Sequence, residues 1–138
     1  MTTMATSQVT GSRSRFEALS WYFMRISGLV LLFVAVGHLM FMHVLLGVDR
    51  IDYSVIIGRW ASPFWQLYDL ALLLFALLHG ANGGRWVIDD WVHPRGWNLF
   101  VKTLLYGIVL ILFLMGAQVI FTYQPSSTAI NAFFNTLL

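Results

Sequence analysis

A histidine deep inside an apolar run is the first residue of this sequence with chemistry to offer. A helix drawn through His79 carries Asn82, Gly83, Trp86 and Asp90 on the same face, at offsets of 3, 4, 7 and 11 residues. At about 1.5 Å per residue, His79 stands about 16 Å along the axis from Asp90. With Asp90 at a membrane interface, the imidazole lies near the bilayer midplane, where ionisable groups are costly and mark functional sites. Its neighbours Ala76, Gly80, Ala81, Gly83 and Gly84 are small, so a flat body or a second helix can approach closely. Plain helix packing accounts for many such stripes. An imidazole beside a glycine-lined slot also suits one axial position of a haem iron, and one histidine supplies only one such ligand.

The other polar residues of the apolar runs carry weaker signals. His38 and His43 are five residues apart, about 140° around an α-helix, so they present no shared metal face; they fit packing or hydrogen-bonding roles, with single donation to a cofactor as the alternative. Arg25 lies about one turn inside the first run, where it either snorkels to the interface or meets an anionic group. Asp69 pairs with a cation at the end of its run, with Arg59 the nearest in sequence, and Gln118 suits an interhelical hydrogen bond. His93 falls in a polar connection before Pro94 and reads as solvated, with proton relay as its functional alternative. There is no phosphate-binding glycine loop, nucleophile elbow or H-E-x-x-H pattern.

These residues must be positioned by membrane-spanning helices. The chain has 138 residues, 59% hydrophobic and 10% charged, against about 45–50% and 25% in soluble domains. A soluble globular enzyme is thereby excluded. Cysteine is absent, which excludes disulfides, thiol catalysis and iron–sulfur ligation. A net charge of +2 gives no electrostatic footprint for nucleic acid.

The pattern predicts an all-α membrane protein with three transmembrane helices over about residues 21–48, 62–88 and 98–123. Residues 1–20, Ser/Thr-rich and basic at Arg13 and Arg15, read as a flexible tail, and Trp21, Tyr22 and Phe23 as an aromatic interface belt. The stretch from Gly47 to Trp60 reads as the first loop, and Asp89 to Trp97 as the second connection. Ser62 and Pro63 suit a helix start, as N-cap and first helical residue. In the closing segment 124–138, Ile130, Phe133, Phe134, Leu137 and Leu138 recur on one helical face behind Ser126 to Thr128. That predicts a short interfacial helix.

The stretch from Ile51 to Pro94 resembles the small hydrophobic membrane anchor of succinate dehydrogenase, respiratory complex II. The resemblance is carried by His79, Gly83, Trp86, Val87 and Asp90 followed by the aromatic Trp91, by Arg25-Ile26-Ser27-Gly28, and by the loop from Tyr53 to Ser62. It covers about residues 16 to 123. It implies that His79 is an axial ligand of haem b, with the second ligand from a larger anchor subunit. It further implies that Arg25 meets the haem propionates and that Asp90 and Trp91 border a quinone site, for menaquinone or ubiquinone. The family's usual aromatic here is tyrosine, whereas the Trp91 indole donates a hydrogen bond and cannot accept one. FAD and iron–sulfur clusters would reside in a flavoprotein and an iron–sulfur partner, and the chain would catalyse nothing alone. The expected place is a bacterial cytoplasmic membrane.

Two other classes stand beside this reading: a haem-free structural or assembly anchor, and a small transporter subunit. The second lacks the mid-membrane carboxylate expected of proton-coupled export. Arg13, Arg15, Arg25, Arg85, Arg95 and Lys102 fall at one membrane face, and Arg50 and Arg59 at the other. Basic residues favour the cytoplasmic side, so the N-terminus and second connection are predicted inside, the first loop and C-terminus outside. A reporter that works only in the cytoplasm should be silent when fused after Leu138. Activity there would overturn this topology.

Overall fold

The computed structural model describes residues 10–123 and 125–137, with side chains from residue 15 onward; the expectation of a tail over residues 1–9 lies outside the described residues. Three helices among these are long and apolar enough to cross a membrane. They are α1 (Thr10–Leu39), α3 (Pro63–Trp91) and α4 (Arg95–Thr122); two short helices, α2 (Tyr53–Arg59) and α5 (Ser127–Leu137), complete the element order.

Helix α1 begins at Thr10, so residues 10–20, expected in the flexible tail, are helical. Local propensity does not account for this, because Ser and Thr are indifferent helix formers. Tertiary contacts hold the extension: Ser20 is buried and bonds Asn82 of α3, and Glu17 pairs with Arg85. At its far end α1 widens into a π-helical turn, Met40–Leu45, in which Leu46 N–H donates to the Phe41 carbonyl five residues back at 3.0 Å. Gly47 then stops the helix at φ 81°, a conformation that side-chain-bearing residues rarely adopt.

The stretch expected as the first loop contains structure of its own. A 3₁₀ turn spans Val48–Arg50 and leads into α2, whose N-cap Asp52 accepts a 2.8 Å hydrogen bond from the Val55 N–H. That bond and one from the Ser54 hydroxyl hold the Asp52 carboxyl below the usual carboxylate range. Pro63 opens α3 at the expected place, while Ser62 caps it only through its backbone carbonyl, which receives Trp65 and Gln66 N–H.

Helix α3 is the centre of the bundle, packed against α1 on one side and α4 on the other. Gly84 and Gly116 set the close approach to α4 by receiving Leu105 and Leu73. Between α1 and α4 a groove of about 410 Å3 opens, lined by Phe16, Phe23 and Leu78 among others, with Tyr106 and Val109 on its α4 side. The remaining surface of α1 and α4 is apolar and exposed, as at Leu29, Phe33, Ile111 and Leu114, which suits lipid or neighbouring subunits.

The expected C-terminal helix is present, and Ser126 Oγ caps it by accepting from Ala129 N–H at 3.2 Å. Its buried stripe is Ala129 and Phe133, packed onto α2, while Phe134 and Leu137 of the predicted apolar face are exposed; Leu138 lies outside the described residues. The contact is so close at Gly58 that an added Cβ would overlap the Ala129 carbonyl oxygen. Gly58→Ala should therefore push α5 off α2 and cost about 1–3 kcal/mol, as overpacking does. Limited proteolysis should then release the C-terminal segment at a lower temperature than in the parent chain.

Candidate functional site

His79 is half-buried against α1. Its Nδ1 lies 2.9 Å from the Ser27 hydroxyl oxygen, and Ser27 is among the most buried residues of the chain, 1% exposed. Gly28 makes room for the ring, since a Cβ at that position would stand 3.2 Å from His79 Cε1. The same hydroxyl lies 3.4 Å from the Met24 carbonyl oxygen. With the hydroxyl proton directed there, His79 Nδ1–H donates to Ser27 Oγ and Nε2 keeps its lone pair. Nε2 has no hydrogen bond or ion pair among the described residues. Beside the ring, a Cβ added at Gly80 would meet nothing within 4 Å, and both Ala76 and Gly80 are exposed.

About two turns further along α3, polar groups gather at the end that carries Asp90. Arg85, buried to 9% exposure, donates from Nη1 and Nη2 to the two Glu17 carboxylate oxygens at 3.2 and 3.3 Å, and to Ser20 Oγ at 3.0 Å. Ser20 in turn donates to Asn82 Oδ1 at 2.8 Å. Asp89 is paired with Lys102 of α4 and accepts from Asn98 at 3.1 Å, and the same Asn98 amide bonds the Val92 carbonyl at 3.0 Å. These bonds lock the short turn between α3 and α4. A cavity of about 180 Å3 opens among Glu17, Arg85, Trp86, Asp89 and Asp90. Asp90 and Trp91 are exposed, Trp91 by 81%.

Of the four sequence candidates, Asp90 and Trp91 are adjacent at one end of α3 and His79 lies deeper on the same helix. Arg25 is not brought to them. It is exposed, about 160° around α1 from Ser27, with its guanidinium 4.0 Å from the Trp21 ring centroid in a cation–π contact. His43 and His93 are exposed. Gln118 is exposed too and makes no hydrogen bond among the described residues.

The opposite end of the bundle holds a second polar cluster. Arg59, 3% exposed, pairs with Asp69 Oδ2, to which Trp60 Nε1 also donates at 2.8 Å. His38 Nε2 lies 3.6 Å from Asp69 Oδ1, and its ring stacks on Tyr68. Burial pushes the Arg59 guanidinium below its usual range while Asp69 opposes the shift; a guanidinium nonetheless stays charged. Sequence reasoning paired Arg59 with Asp69 but missed Trp60 and His38.

The family model for the succinate dehydrogenase/fumarate reductase transmembrane subunit matches residues 4–116. The chain belongs to that family. No curated protein matched it. Membership accounts for three apolar spans with so little soluble mass, since such a subunit works within a succinate dehydrogenase/fumarate reductase complex in the bilayer. Within this family member, reasoning from sequence missed Glu17, Ser20 and Ser27 as partners of α3. Their only local signal is that they recur at offsets of three and seven on one face of α1.

The buried Arg59–Asp69 pair yields a stability test. Asp69→Asn leaves a buried guanidinium without its counter-charge and should cost about 3–5 kcal/mol. Replacing both residues by apolar ones of similar size should cost much less. Thermal unfolding of the purified complex, followed by helix signal, checks the order of the two.

Proposed function

We propose that this chain is a membrane anchor of succinate dehydrogenase that supplies one axial ligand of a haem b and one wall of a quinone-reduction site. The observation that carries the reading is the His79–Ser27 contact. A ligating histidine is ordinarily oriented by a hydrogen bond to its other nitrogen, and His79 has its Nδ1 engaged, with no partner for Nε2 among the described residues.

The residues fit a haem. The single imidazole matches one axial position, no group of three or more potential metal ligands competes with it among the described residues, and the exposed Ala76 and Gly80 leave room beside the ring. When bound, the haem supplies a one-electron redox centre. The chain's own contribution is to fix the imidazole: Ser27 sets its tautomer, and Gly28 lets α1 close on it. A larger anchor subunit would supply the other ligand to the iron. Arg25 enters as the propionate partner through the family resemblance; its exposed place on α1 leaves it able to meet a group held by a neighbouring subunit.

At the cytoplasmic end, Asp90 and Trp91 border the quinone. Electrons from succinate arrive through a flavoprotein and an iron–sulfur partner, and the quinone takes two electrons and two protons to become quinol. Trp91 donates its indole N–H toward a quinone oxygen, and Asp90 passes a proton. The N-terminus lies in the cytoplasm and the C-terminus outside, in a bacterial cytoplasmic membrane.

A reduced-minus-oxidised spectrum of the purified complex tests the ligand. His79→Ala should abolish the bis-histidine signal, and Ser27→Ala should weaken haem retention by about 10–100-fold. A wild-type spectrum in His79→Ala would overturn the assignment, and a parent complex without haem absorbance would leave a haem-free anchor. Quinone-reductase kinetics unchanged by both Asp90→Asn and Trp91→Ala would remove the quinone site.

A further inference from the structure

A groove opens on the side of α3 away from the slot beside His79. Leu19 and Phe23 of α1, Leu78 and Ala81 of α3, and Tyr106 and Val109 of α4 are among the residues that line its 410 Å3. It continues past Leu74 and Phe113 in a further cavity of about 170 Å3 that shares Leu78, Tyr106 and Val109. Leu78 stands two residues from both Ala76 and Gly80, about 160° around α3 from each. Asp90, nine residues beyond Ala81 and about 180° around the helix from it, does not line the groove. From Arg85 at the mouth to Leu74, the α3 wall is 11 residues long, about 16 Å. That is the depth of one leaflet, half of a hydrocarbon core about 30 Å thick.

Each of the three helices carries a cation one turn outside a groove residue: Arg15 four positions before Leu19, Arg85 four after Ala81, and Lys102 four before Tyr106. Arg85 sits on the mouth itself. It donates to Ser20 Oγ at 3.0 Å, and its guanidinium lies 5.2 Å from the Phe16 ring centroid; Ser20 and Phe16 both line the groove. Glu17 and Asp89 compensate Arg85 and Lys102, whereas Arg15 is exposed and has no ion pair among the described residues. One turn inside, Tyr106 carries a hydroxyl with no hydrogen-bond partner among the described residues. Helical side chains lean toward the N-terminus, which in α4 is the mouth end. A phenol in apolar surroundings calls for a polar partner.

We propose that the groove binds one anionic phospholipid of the leaflet at the Asp90 end. An acyl chain lies along Leu78 and Val109 and bridges α1 to α4, which both pack on α3. The Tyr106 hydroxyl donates to an ester carbonyl, and Arg15 adds the uncompensated charge that favours an anionic headgroup. Basic pockets between spans bind such headgroups, each basic residue favouring the anionic lipid about fivefold.

Photolabelling tests this. The intact complex is reconstituted in phosphatidylcholine vesicles containing phosphatidylglycerol with a diazirine at the end of one acyl chain, and the labelled residues are located by mass spectrometry. Labelling should centre on Leu74, Leu78 and Phe113 and exceed that at Leu104 and Ile111, which are exposed on the far side of α4. Added unlabelled phosphatidylglycerol should displace the probe about fivefold better than added phosphatidylethanolamine. Arg15→Gln, an exposed change, should remove that preference and leave the groove labelled. Leu78→Trp, which fills the groove, should abolish groove labelling in a complex that still assembles. Labelling spread evenly over the exposed apolar faces overturns the site, and a preference that survives Arg15→Gln overturns the headgroup assignment. Displacement by a long-chain quinone but not by phosphatidylglycerol would give the groove to a quinone tail. A crosslink through Leu78 to another copy of this chain would give it to a second copy, and either result overturns the lipid assignment.

Discussion

Water is absent from the bilayer core, so every polar side chain that α3 carries inward must be answered by another helix. Helix α1 gives most of the answers. Ser27 takes His79, Ser20 takes Asn82 and Arg85, and Glu17 takes the same arginine. Apolar packing is too sparse to fix the pair alone, since only a handful of hydrophobic residues are buried among the described ones. Hydrogen bonds therefore set the register of α1 on α3. An imidazole held in this way keeps its orientation only while that register is kept.

The two ends of the bundle meet the same constraint differently. At the Asp90 end, a network spread over α1, α3 and α4 satisfies Arg85 and Asp89 and leaves Asp90 open beside a cavity. At the other end, Arg59, Asp69, Trp60 and His38 condense into one buried knot under α2 and α5. There the Arg59 Nε and Nη1 atoms and Asp69 Oδ1 lack hydrogen-bond partners among the described residues. The first arrangement ties α1, α3 and α4 together at one end, and the second fixes where α2 and α5 sit.

Much of the fold was legible because bilayers impose simple rules. Apolar length marked the three spans, Pro63 marked one start, and Ser126 one cap. His79 and Asp90 stood out because charge is so scarce. What stayed hidden was long-range or cooperative. Residues 10–20 read as a tail because their helicity depends on Glu17 and Ser20 meeting residues more than sixty positions away. Helix α2 was passed over because hydropathy counted Arg59 as a loop charge, although Asp52 ahead of Val55, Ile56 and Ile57 is an N-cap before an apolar run. The apolar face of α5 was read for a membrane surface, and the contact with Gly58 turned it toward Ala129 and Phe133. His79, Arg25 and Asp90 were legible as outliers and Trp91 only through the family resemblance; which of them touch one another was not legible.

The turn between α3 and α4 also bears on how the protein is made. Helix α3, with His79, Arg85, Asp89 and Asp90, is the less apolar of the two, and α4 the more apolar. Arg85, Asp89 and Asp90 sit in the last two turns of α3 and His79 nearer its middle, where a polar side chain is costly in apolar surroundings, so α3 has the weaker apolar drive for the membrane. Only Val92, His93 and Pro94 separate it from α4, and Asn98 and Lys102 fasten the two across the turn. The pair can enter the membrane as one hairpin, with α4 supplying the transfer free energy that the polar face of α3 lacks. The polar face of α3 is thus offset by its neighbour in the same hairpin.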